Sequence, residues 1–289
     1  MHLRSCLSAV SAVVVLVTAL ASIPAANAEQ CSGIRQRKEI RQFSQQERND
    51  LFAAMVRLQQ DGSPSTYDRF ANDHNKYSKT SHGIAGFLPW HRAYLREVER
   101  ALQRINPSVT LGYWDWTIDS QAPEVSKVFT ADYYGGNGGS DGCITNGPFK
   151  DYKPYYPTPH CLRRKFDAGD KINAVSSPEV VNSAVQKLES YAEIRQEIEN
   201  VMHGQVHIGI GGDMETMFSP NDPIFFAHHS FVDKIWADWQ SVKPQRLRDY
   251  SGITSEGNPA TANDVLEPYN VRVSDVFDTT NLCYTYGEL

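Results

Sequence analysis

The sequence has no excess of basic residues. It contains 28 Lys and Arg against 34 Asp and Glu, and its formal net charge is −6 over 289 residues. A chain without a strong positive field has little with which to hold a phosphate backbone, so nucleic acid is not an expected partner. Internal repeats, low-complexity tracts and linkers are also missing. With 40% apolar and 21% charged residues, the composition predicts one large globular domain.

Long apolar runs are scarce as well. The one clear run covers residues 7–20 and is followed by the small residues of Ala26–Ala28. It is shorter than the roughly 20 residues that a membrane helix needs, and no basic cluster follows it, so a transmembrane anchor is the weaker interpretation. The pattern predicts a signal peptide over residues 1–28, one domain over residues 29–289, and a secreted protein with no membrane partner.

Cysteines are few, and no two of them form a Cys-x-x-Cys zinc or redox motif. Removal of the leader takes away Cys6 and leaves four, an even number in an oxidising compartment, which predicts two disulfides. Three pairings are possible. We favour Cys143 with Cys161, which would close a loop rich in Gly and Pro, and Cys31 with Cys283, which would join the two ends. The alternative is free buried thiols.

Helical signals are strong in five segments. Ser44 and Glu47 form a capping box before apolar residues at helical spacing. The predicted helices cover residues 44–60, residues 67–77, a segment with Pro89 in its first turn that ends before Pro107, residues 182–207 with room for one break, and residues 222–240. Periodicity is absent over residues 110–178, which predicts long irregular loops, and the segment after residue 240 predicts few short strands.

Histidines carry the chemical argument. His203 and His207 are four residues apart on a predicted helix, so both imidazoles project from one face and can reach one metal ion. Alone, such a pair is more often an ordinary surface or core pair. The Glu that zinc proteases place directly after the first His is Gly204 here, which argues against metalloprotease chemistry.

A second histidine group raises the odds of a metal site. Two sets of three imidazoles would lie on facing helices of an antiparallel four-helix bundle, where metal sites are commonly built. The sets are His74, His82 and His91, and His203, His207 and His229. Carboxylate and thiolate candidates are missing at matching places. An all-imidazole site suits copper, zinc, iron or nickel, and copper binds most tightly of these.

Longer motifs surround these histidines. They are His82-Gly83 with FLPWHRAYL at 87–95, YWDW at 113–116, Met202-His203 with His207, GGDM at 211–214, SPNDPIFFAHH at 219–229, DKIW at 233–236 and YTYG at 284–287. In these motifs the sequence resembles the type 3 copper proteins, and among them the tyrosinases and catechol oxidases. The resemblance covers residues 31–289.

The resemblance implies two copper ions as cofactors. His74, His82 and His91 would bind the first ion, and His203, His207 and His229 the second. In a His-His pair this family uses the second member, so His228 is read as a neighbour, with its own ligation as the alternative. Asp233 follows His229 by four residues and is expected either to accept a hydrogen bond from an imidazole or to be an exposed helix carboxylate.

The implied reaction uses O2 to oxidise small o-diphenols to o-quinones, with ortho-hydroxylation of monophenols as a further activity. The family's proposed water-holding pair is a Glu, which matches Glu199, and an Asn, whose position is Gly204 here. Glu199 is therefore a candidate water or phenol base, with a solvated helix Glu as the alternative. The Gly204 departure favours catechol oxidation. Some members link the second ligand to a Cys two residues earlier, but that residue is Thr80.

Further expectations follow from the same resemblance. Tyr284–Tyr286 resembles the tyrosine motif that ends the catalytic domain, and Arg37 either docks against it or lies on the surface. The chain stops three residues after Tyr286, which predicts an enzyme without a lid of its own. His160 is expected to be structural or exposed. The competing function is a hemocyanin-like module that binds O2 reversibly, and the sequence predicts no oligomeric state.

Overall fold

A computed structural model describes residues 31–287, and the predicted signal peptide lies outside the described residues. The described chain is mainly helical. Its α-helices are α1 (Gln45–Gln59), α2 (Thr66–Lys76), α3 (Ser78–Ser81), α4 (Phe87–Ile105), α5 (Pro178–Lys187), α6 (Tyr191–Glu197), α7 (Gly204–Ile210) and α8 (Ile224–Val242), and a π-helical turn, Ile198–His203, joins α6 to α7. Among the described helices none is both long and apolar enough to cross a membrane.

Strands within residues 31–287 are few and short, as expected. Strand β1 (Arg35–Arg37) pairs in parallel with β4 (Tyr284–Tyr286), and β2 (Val265–Leu266) pairs antiparallel with β3 (Val271–Arg272). The register of the parallel pair places Arg37 opposite Tyr286. Short 3₁₀ turns punctuate the loops at Ile40–Gln42, Pro123–Val125, Lys127–Phe129, Gly212–Glu215, Ser219–Asn221, Pro244–Arg248, Val273–Val276 and Thr279–Leu282.

The first helices begin where local signals direct them. The Ser44 side chain accepts from the backbone N–H of Glu47, and the Glu47 side chain accepts from the Ser44 N–H, so the predicted capping box is present. Helix α4 begins at Phe87. Pro89 remains in its first turn, where the missing N–H has no helical partner to lose, and the helix ends at Ile105 as expected.

The predicted helix over residues 182–207 is wrong in its bounds. Helix α5 begins four residues earlier, at Pro178, and a break follows it because the Ser190 side chain caps a new helix by a capping box. The helical path then continues past the predicted end to Ile210, where Gly211 stops it with a φ of 62°. Helix α8 is likewise shifted by two residues relative to the prediction of 222–240.

The core is aromatic and surrounds two long helices. Helices α4 and α8 pack against each other, and most of their residues are buried. The tryptophans are all at most 1% exposed: Trp90, Trp114, Trp116, Trp236 and Trp239. Because large apolar rings surround α4 and α8 on several sides, the histidines that these helices carry are held in a rigid, largely dry setting.

Both ends of the described chain meet beside this core. The Cys31–Cys283 disulfide joins them, and the second disulfide, Cys143–Cys161, closes the long loop, so the favoured pairing is confirmed. Next to the first disulfide, Arg37 is fully buried, and its guanidinium carbon lies 3.6 Å from the centre of the Tyr284 ring. The docked interpretation of Arg37 is thus confirmed.

Candidate metal centre

The first histidine cluster consists of three residues that lie close together in the sequence. His74 comes from the last turn of α2, His82 directly follows α3, and His91 lies in the second turn of α4. Their ring centroids are 4.8 Å apart for His74 and His82, 4.9 Å for His82 and His91, and 5.4 Å for His74 and His91. The turn between α2 and α4 therefore brings three imidazoles to one point.

The second cluster lies directly beside the first. His203 ends the π-helical turn, His207 lies on α7, and His228 and His229 lie on α8. The ring centroids of His203 and His207 are 4.4 Å apart, and those of His203 and His229 are 4.9 Å apart. The ligand atoms within each cluster all lie within 4.8 Å of one another. The rings of His91 and His229 stack at 4.5 Å, so the two clusters are neighbours.

Backbone carbonyls fix the tautomer of four of these imidazoles. In each, Nδ1 faces a carbonyl oxygen, which only accepts, so Nδ1 carries the proton and the Nε2 lone pair is free for a metal. The pairs are His74 with Met217 at 2.8 Å, His91 with Phe87 at 2.8 Å, His203 with Glu199 at 3.0 Å, and His207 with Met214 at 2.5 Å.

His82 reaches the same state through a side chain. Its Nδ1 lies 2.9 Å from the Ser81 hydroxyl oxygen, and that hydroxyl donates its own proton to the Tyr77 carbonyl at 3.0 Å. The Ser81 oxygen can therefore only accept from His82, and Nδ1 of His82 is also the protonated nitrogen. Five imidazoles thus expose Nε2 in the deprotonated form that a metal ion requires.

The arrangement of these Nε2 atoms fits a cation. The Nε2 atoms of His74 and His91 are 3.3 Å apart, although both rings already hold their proton on Nδ1. Two lone pairs at that distance repel each other unless a positive ion lies between or beside them. His203 Nε2 is buried and has no hydrogen-bond partner among the described residues. Such orphaned acceptors, all of them imidazole nitrogens, fit copper.

The protein environment keeps these rings neutral. Burial lowers the pKa of His82 to about 4, helped by the nearby His207. Burial also lowers the pKa of His207 to about 4. The pKa values of His74, His91, His203 and His229 lie well below the ordinary value, first because of burial and then because of neighbouring histidines. At neutral pH no proton competes with a metal ion for Nε2.

His228 is the one histidine of the second cluster with neither nitrogen engaged. It is fully buried, and both ring nitrogens lack a hydrogen-bond partner among the described residues. Its ring stacks on that of His203, with centroids 5.4 Å apart and planes 16° apart. His229 differs, because its Nε2 faces the Nε2 of His207 at 3.2 Å.

Asp233 takes neither of the two positions expected of it. It is 3% exposed, and its carboxylate accepts from Arg92 Nε at 2.5 Å and from the hydroxyls of Tyr284 and Tyr286 at 2.5 Å each. Among the described hydrogen bonds it has none with an imidazole. Asp233 lies one helical turn from His229, but its hydrogen-bond partners are on α4 and β4. The side chain therefore anchors α8 to these two elements.

Glu199 lies between the clusters and is buried, which excludes the solvated alternative. Its Oε1 accepts from the backbone N–H of Gly83 at 2.5 Å, and its Oε2 accepts from Arg195 at 2.7 Å. Burial raises its pKa, while those two donors act in the opposite direction. Glu199 therefore ties the segment that holds His82 to the helix that holds His203. Gly204 begins α7 and is partly exposed.

Sequence reasoning missed the partners that orient the rings. Ser81 could have been noticed, because it directly precedes a candidate ligand and carries a hydroxyl. The carbonyl acceptors of Met214 and Met217 carry no side-chain signature at all. Arg195 could have been noticed from its i, i+4 spacing to Glu199. His160, in the long loop, lies 2.9 Å from the buried carboxylate of Asp213, outside both histidine clusters.

Comparisons with known proteins agree with this geometry. The family described as the common central domain of tyrosinase matches residues 64–242. A tyrosinase from Aspergillus flavus is 34% identical over 291 residues, covering 89% of this chain and 80% of the relative. A tyrosinase from Streptomyces antibioticus is 33% identical over 261 residues, covering 81% of this chain and 92% of the relative.

Solved structures share the fold. A mutant polyphenol oxidase from Thermothelomyces thermophila superposes with a TM-score of 0.75 at 23% identity, covering 88% of this chain and 89% of that one. A functional unit of octopus hemocyanin gives a TM-score of 0.61 at 20% identity, covering 88% and 68%. The matched family and the tyrosinase relatives show that this chain belongs to the tyrosinase family of type 3 copper proteins, as a copper-dependent polyphenol oxidase with two copper ions as its cofactor.

Proposed function

We propose that each histidine cluster binds one of the two copper ions. The proposed ligands are His74, His82 and His91 for the first ion and His203, His207 and His229 for the second. The observation that carries this proposal is the set of Nδ1–H donations to fixed acceptors, which leaves Nε2 free in five of the six rings.

The choice of His229 over His228 rests on orientation. His229 Nε2 lies 3.2 Å from the free Nε2 of His207, so one ion can bind both, and neither nitrogen of His228 approaches a described imidazole nitrogen as closely. Matched variants of these adjacent residues test the choice. Copper content should fall from two ions per chain to about one in His229→Gln and stay at two in His228→Gln. The reverse pattern would assign the ligand to His228.

We propose that the enzyme oxidises o-diphenols to o-quinones. Each diphenol loses two electrons and two protons, so two diphenols and one O2 give two quinones and two waters. The bound copper ions supply the site for O2 and carry the electrons. The protein's part is to hold the imidazoles in fixed orientation and to keep the centre largely dry, which strengthens electrostatic interactions there.

The centre is not completely buried. His82 and His207 are the two proposed ligands that are only partly buried. Ile208, directly after His207, is 58% exposed, and Met217, whose carbonyl accepts from His74, is 44% exposed. We propose that these two apolar side chains contact the ring of a small phenolic substrate as it approaches the centre.

We propose that monophenol hydroxylation is the weaker activity. It requires a phenol, whose free pKa is near 10, to lose its proton near neutral pH, so a positioned base or ordered water matters. Glu199 is the candidate base, but both of its carboxylate oxygens already accept hydrogen bonds. Gly204 offers no side chain to hold a water beside it.

Two broader proposals concern the chain as a whole. We propose that α2, α4, the π turn with α7, and α8 form the antiparallel four-helix bundle around the metal centre; its support is that α4 and the π turn both contact α8. We also propose that residues 1–28 are a signal peptide and that the domain of residues 29–289 is secreted. The two disulfides are typical of an oxidising compartment.

The experiment is oxygen uptake by the copper-loaded protein with catechol and, separately, with tyrosine, beside a His207→Ala control. Turnover of catechol alone is the expected result. Turnover of both at comparable rates would contradict the argument from Gly204. Two bound copper ions without turnover of either substrate would favour reversible oxygen binding.

A further inference from the structure

The loop between α7 and α8 touches both histidine clusters. The carbonyl of Met214 accepts from Nδ1 of His207 at 2.5 Å, and the carbonyl of Met217 accepts from Nδ1 of His74 at 2.8 Å. These acceptors are three residues apart on one loop, which we call the clip loop and define as residues 211–218. Because a carbonyl oxygen sets the direction of the imidazole that donates to it, the clip loop orients one ring of each cluster.

Asp213 fastens the clip loop to the rest of the protein. It is 6% exposed, and its carboxylate accepts from the Arg163 backbone N–H at 2.8 Å and from the Asn221 side-chain amide at 3.2 Å. Its third partner is His160, whose Nε2 lies 2.9 Å from Oδ1. In addition, the Asp213 N–H donates to the Arg163 carbonyl at 3.0 Å.

The backbone of the clip loop leaves little room for an alternative path. Gly211 and Gly212 have φ values of 62° and 63°, in the left-handed region that favours glycine. A Cβ on either would collide with a backbone carbonyl, that of Lys165 or that of Arg163. The loop is therefore packed backbone to backbone against the segment that also carries His160 and Cys161.

His160 is built to be positively charged. Its Nδ1 lies 2.6 Å from the Thr158 carbonyl, and its Nε2 faces the Asp213 carboxylate, so both ring nitrogens face acceptors. Only the imidazolium, with a proton on each nitrogen, satisfies both contacts. The hydrogen bond to Asp213 raises the pKa of His160, while partial burial and the nearby Arg163 oppose this.

We propose that His160 and Asp213 are positioning residues for the metal centre: their ion pair holds the clip loop, and the clip loop holds His74 and His207 in the orientation that binds metal. This proposal depends on the proposed function in one respect, which is that His74 and His207 are copper ligands. One pair outside the clusters would thus control both copper sites at once, through Met214 and Met217.

The proposal predicts the direction in which the ion pair between His160 and Asp213 changes with pH. Since the folded-state pKa of His160 is raised, the ion pair is complete below the ordinary value of 6.5 and is lost as the pH rises through the folded pKa. The charged groups that face His160 are Asp213, which stabilises its proton, and Arg163, which opposes it. Copper retention should therefore weaken toward alkaline pH.

The test compares His160→Gln, Asp213→Asn and the control Lys243→Gln, which removes an exposed ion pair with Glu189 far from the clip loop in sequence. Copper-loaded proteins are challenged with a chelator from pH 6.5 to 9. Loss of a group that hydrogen-bonds a metal-binding His typically weakens metal binding about 10- to 100-fold. Asp213 acts one step further out, through Met214 and Met217, so we expect the affinity for both ions to fall by about 10-fold, the lower end of that range, in Asp213→Asn. His160→Gln should flatten the pH dependence.

A second readout needs no copper. In the metal-free protein, imidazole NMR resolves the Nδ1–H protons of His74 and His207, and both signals should shift or exchange faster in the two variants but not in Lys243→Gln. Unchanged signals and unchanged copper retention in Asp213→Asn would overturn the proposal. If the wild-type protein bound no copper, the proposed ligand set would fail, whereas the imidazole signals would still decide whether the clip loop positions these rings.

Discussion

Replacement of Asp233 by Asn should strongly destabilise the fold. The carboxylate is 3% exposed and faces Arg92 and the hydroxyls of Tyr284 and Tyr286, all at 2.5 Å, while Arg37 lies 3.6 Å away. Asparagine keeps the shape, but it removes the charge that balances a fully buried arginine. Removal of one partner of a buried ion pair costs about 3–5 kcal/mol, so the free energy of unfolding should fall by about that amount.

The same helix provides a matched control. The Asp238 side chain is 46% exposed and pairs with Lys234 at 2.7 Å, and an exposed pair of this kind contributes at most about 1 kcal/mol. The assay is guanidinium chloride unfolding of the metal-free proteins with their disulfides intact, and the slopes are compared to check that the transition is unchanged. If Asp233→Asn lost no more stability than Asp238→Asn, the reasoning about the buried charges would be refuted.

Three further predictions follow from the centre and the chain ends. Gly204→Asn should raise tyrosine turnover relative to catechol turnover, since the nearest atom to a Cβ there is 3.6 Å away and the side chain fits; an unchanged ratio of the two rates would argue against a role for this position. Replacing Cys31 and Cys283 by Ser should lower the free energy of unfolding by about 5 kcal/mol, because the bond closes a loop of 252 residues; a denaturation midpoint equal to that of the wild type would contradict this. The metal-free protein should lose stability from pH 6.5 toward 4, because in that window only the unfolded chain takes up protons at His82 and His207, and a melting temperature constant over this range would show that these rings titrate normally.

Local signals made much of the helical framework predictable. The capping box that begins α1 depends on Ser44 and Glu47, which are three residues apart. Pro107 limits the C-terminal end of α4. The start of α1 and the end of α4 could therefore be predicted from nearby residues. The π turn was not readable. Apolar residues through Val201 fit a 3.6-residue period, and the widened turn over Ile198–His203 depends on packing with other elements.

The site divides in the same way. Histidines can be recognised in a sequence by residue type and spacing, so those of both clusters could be predicted. Their backbone acceptors could not, because the carbonyl of Met217 is chemically identical to any other. The partners of Asp233 were also out of reach, because Tyr284 and Tyr286 lie 51 and 53 residues further along the chain. Its spacing from His229 indicated an imidazole contact, but the side chain points the other way.

The parallel pairing of β1 with β4 has a consequence for the order of events during synthesis. Arg37 is among the first described residues to leave the ribosome, and its aromatic neighbours on β4 are among the last. Until they emerge, α4 and α8 can pack against each other, but the buried pair of Arg92 and Asp233 between them lacks the hydroxyl donors of Tyr284 and Tyr286. Unpaired buried charge is costly, so the nascent chain stays short of its final packing until β4 is released. The packing around Asp233 is therefore completed only after β4 has been synthesised, and a rigid metal centre can form no earlier than that.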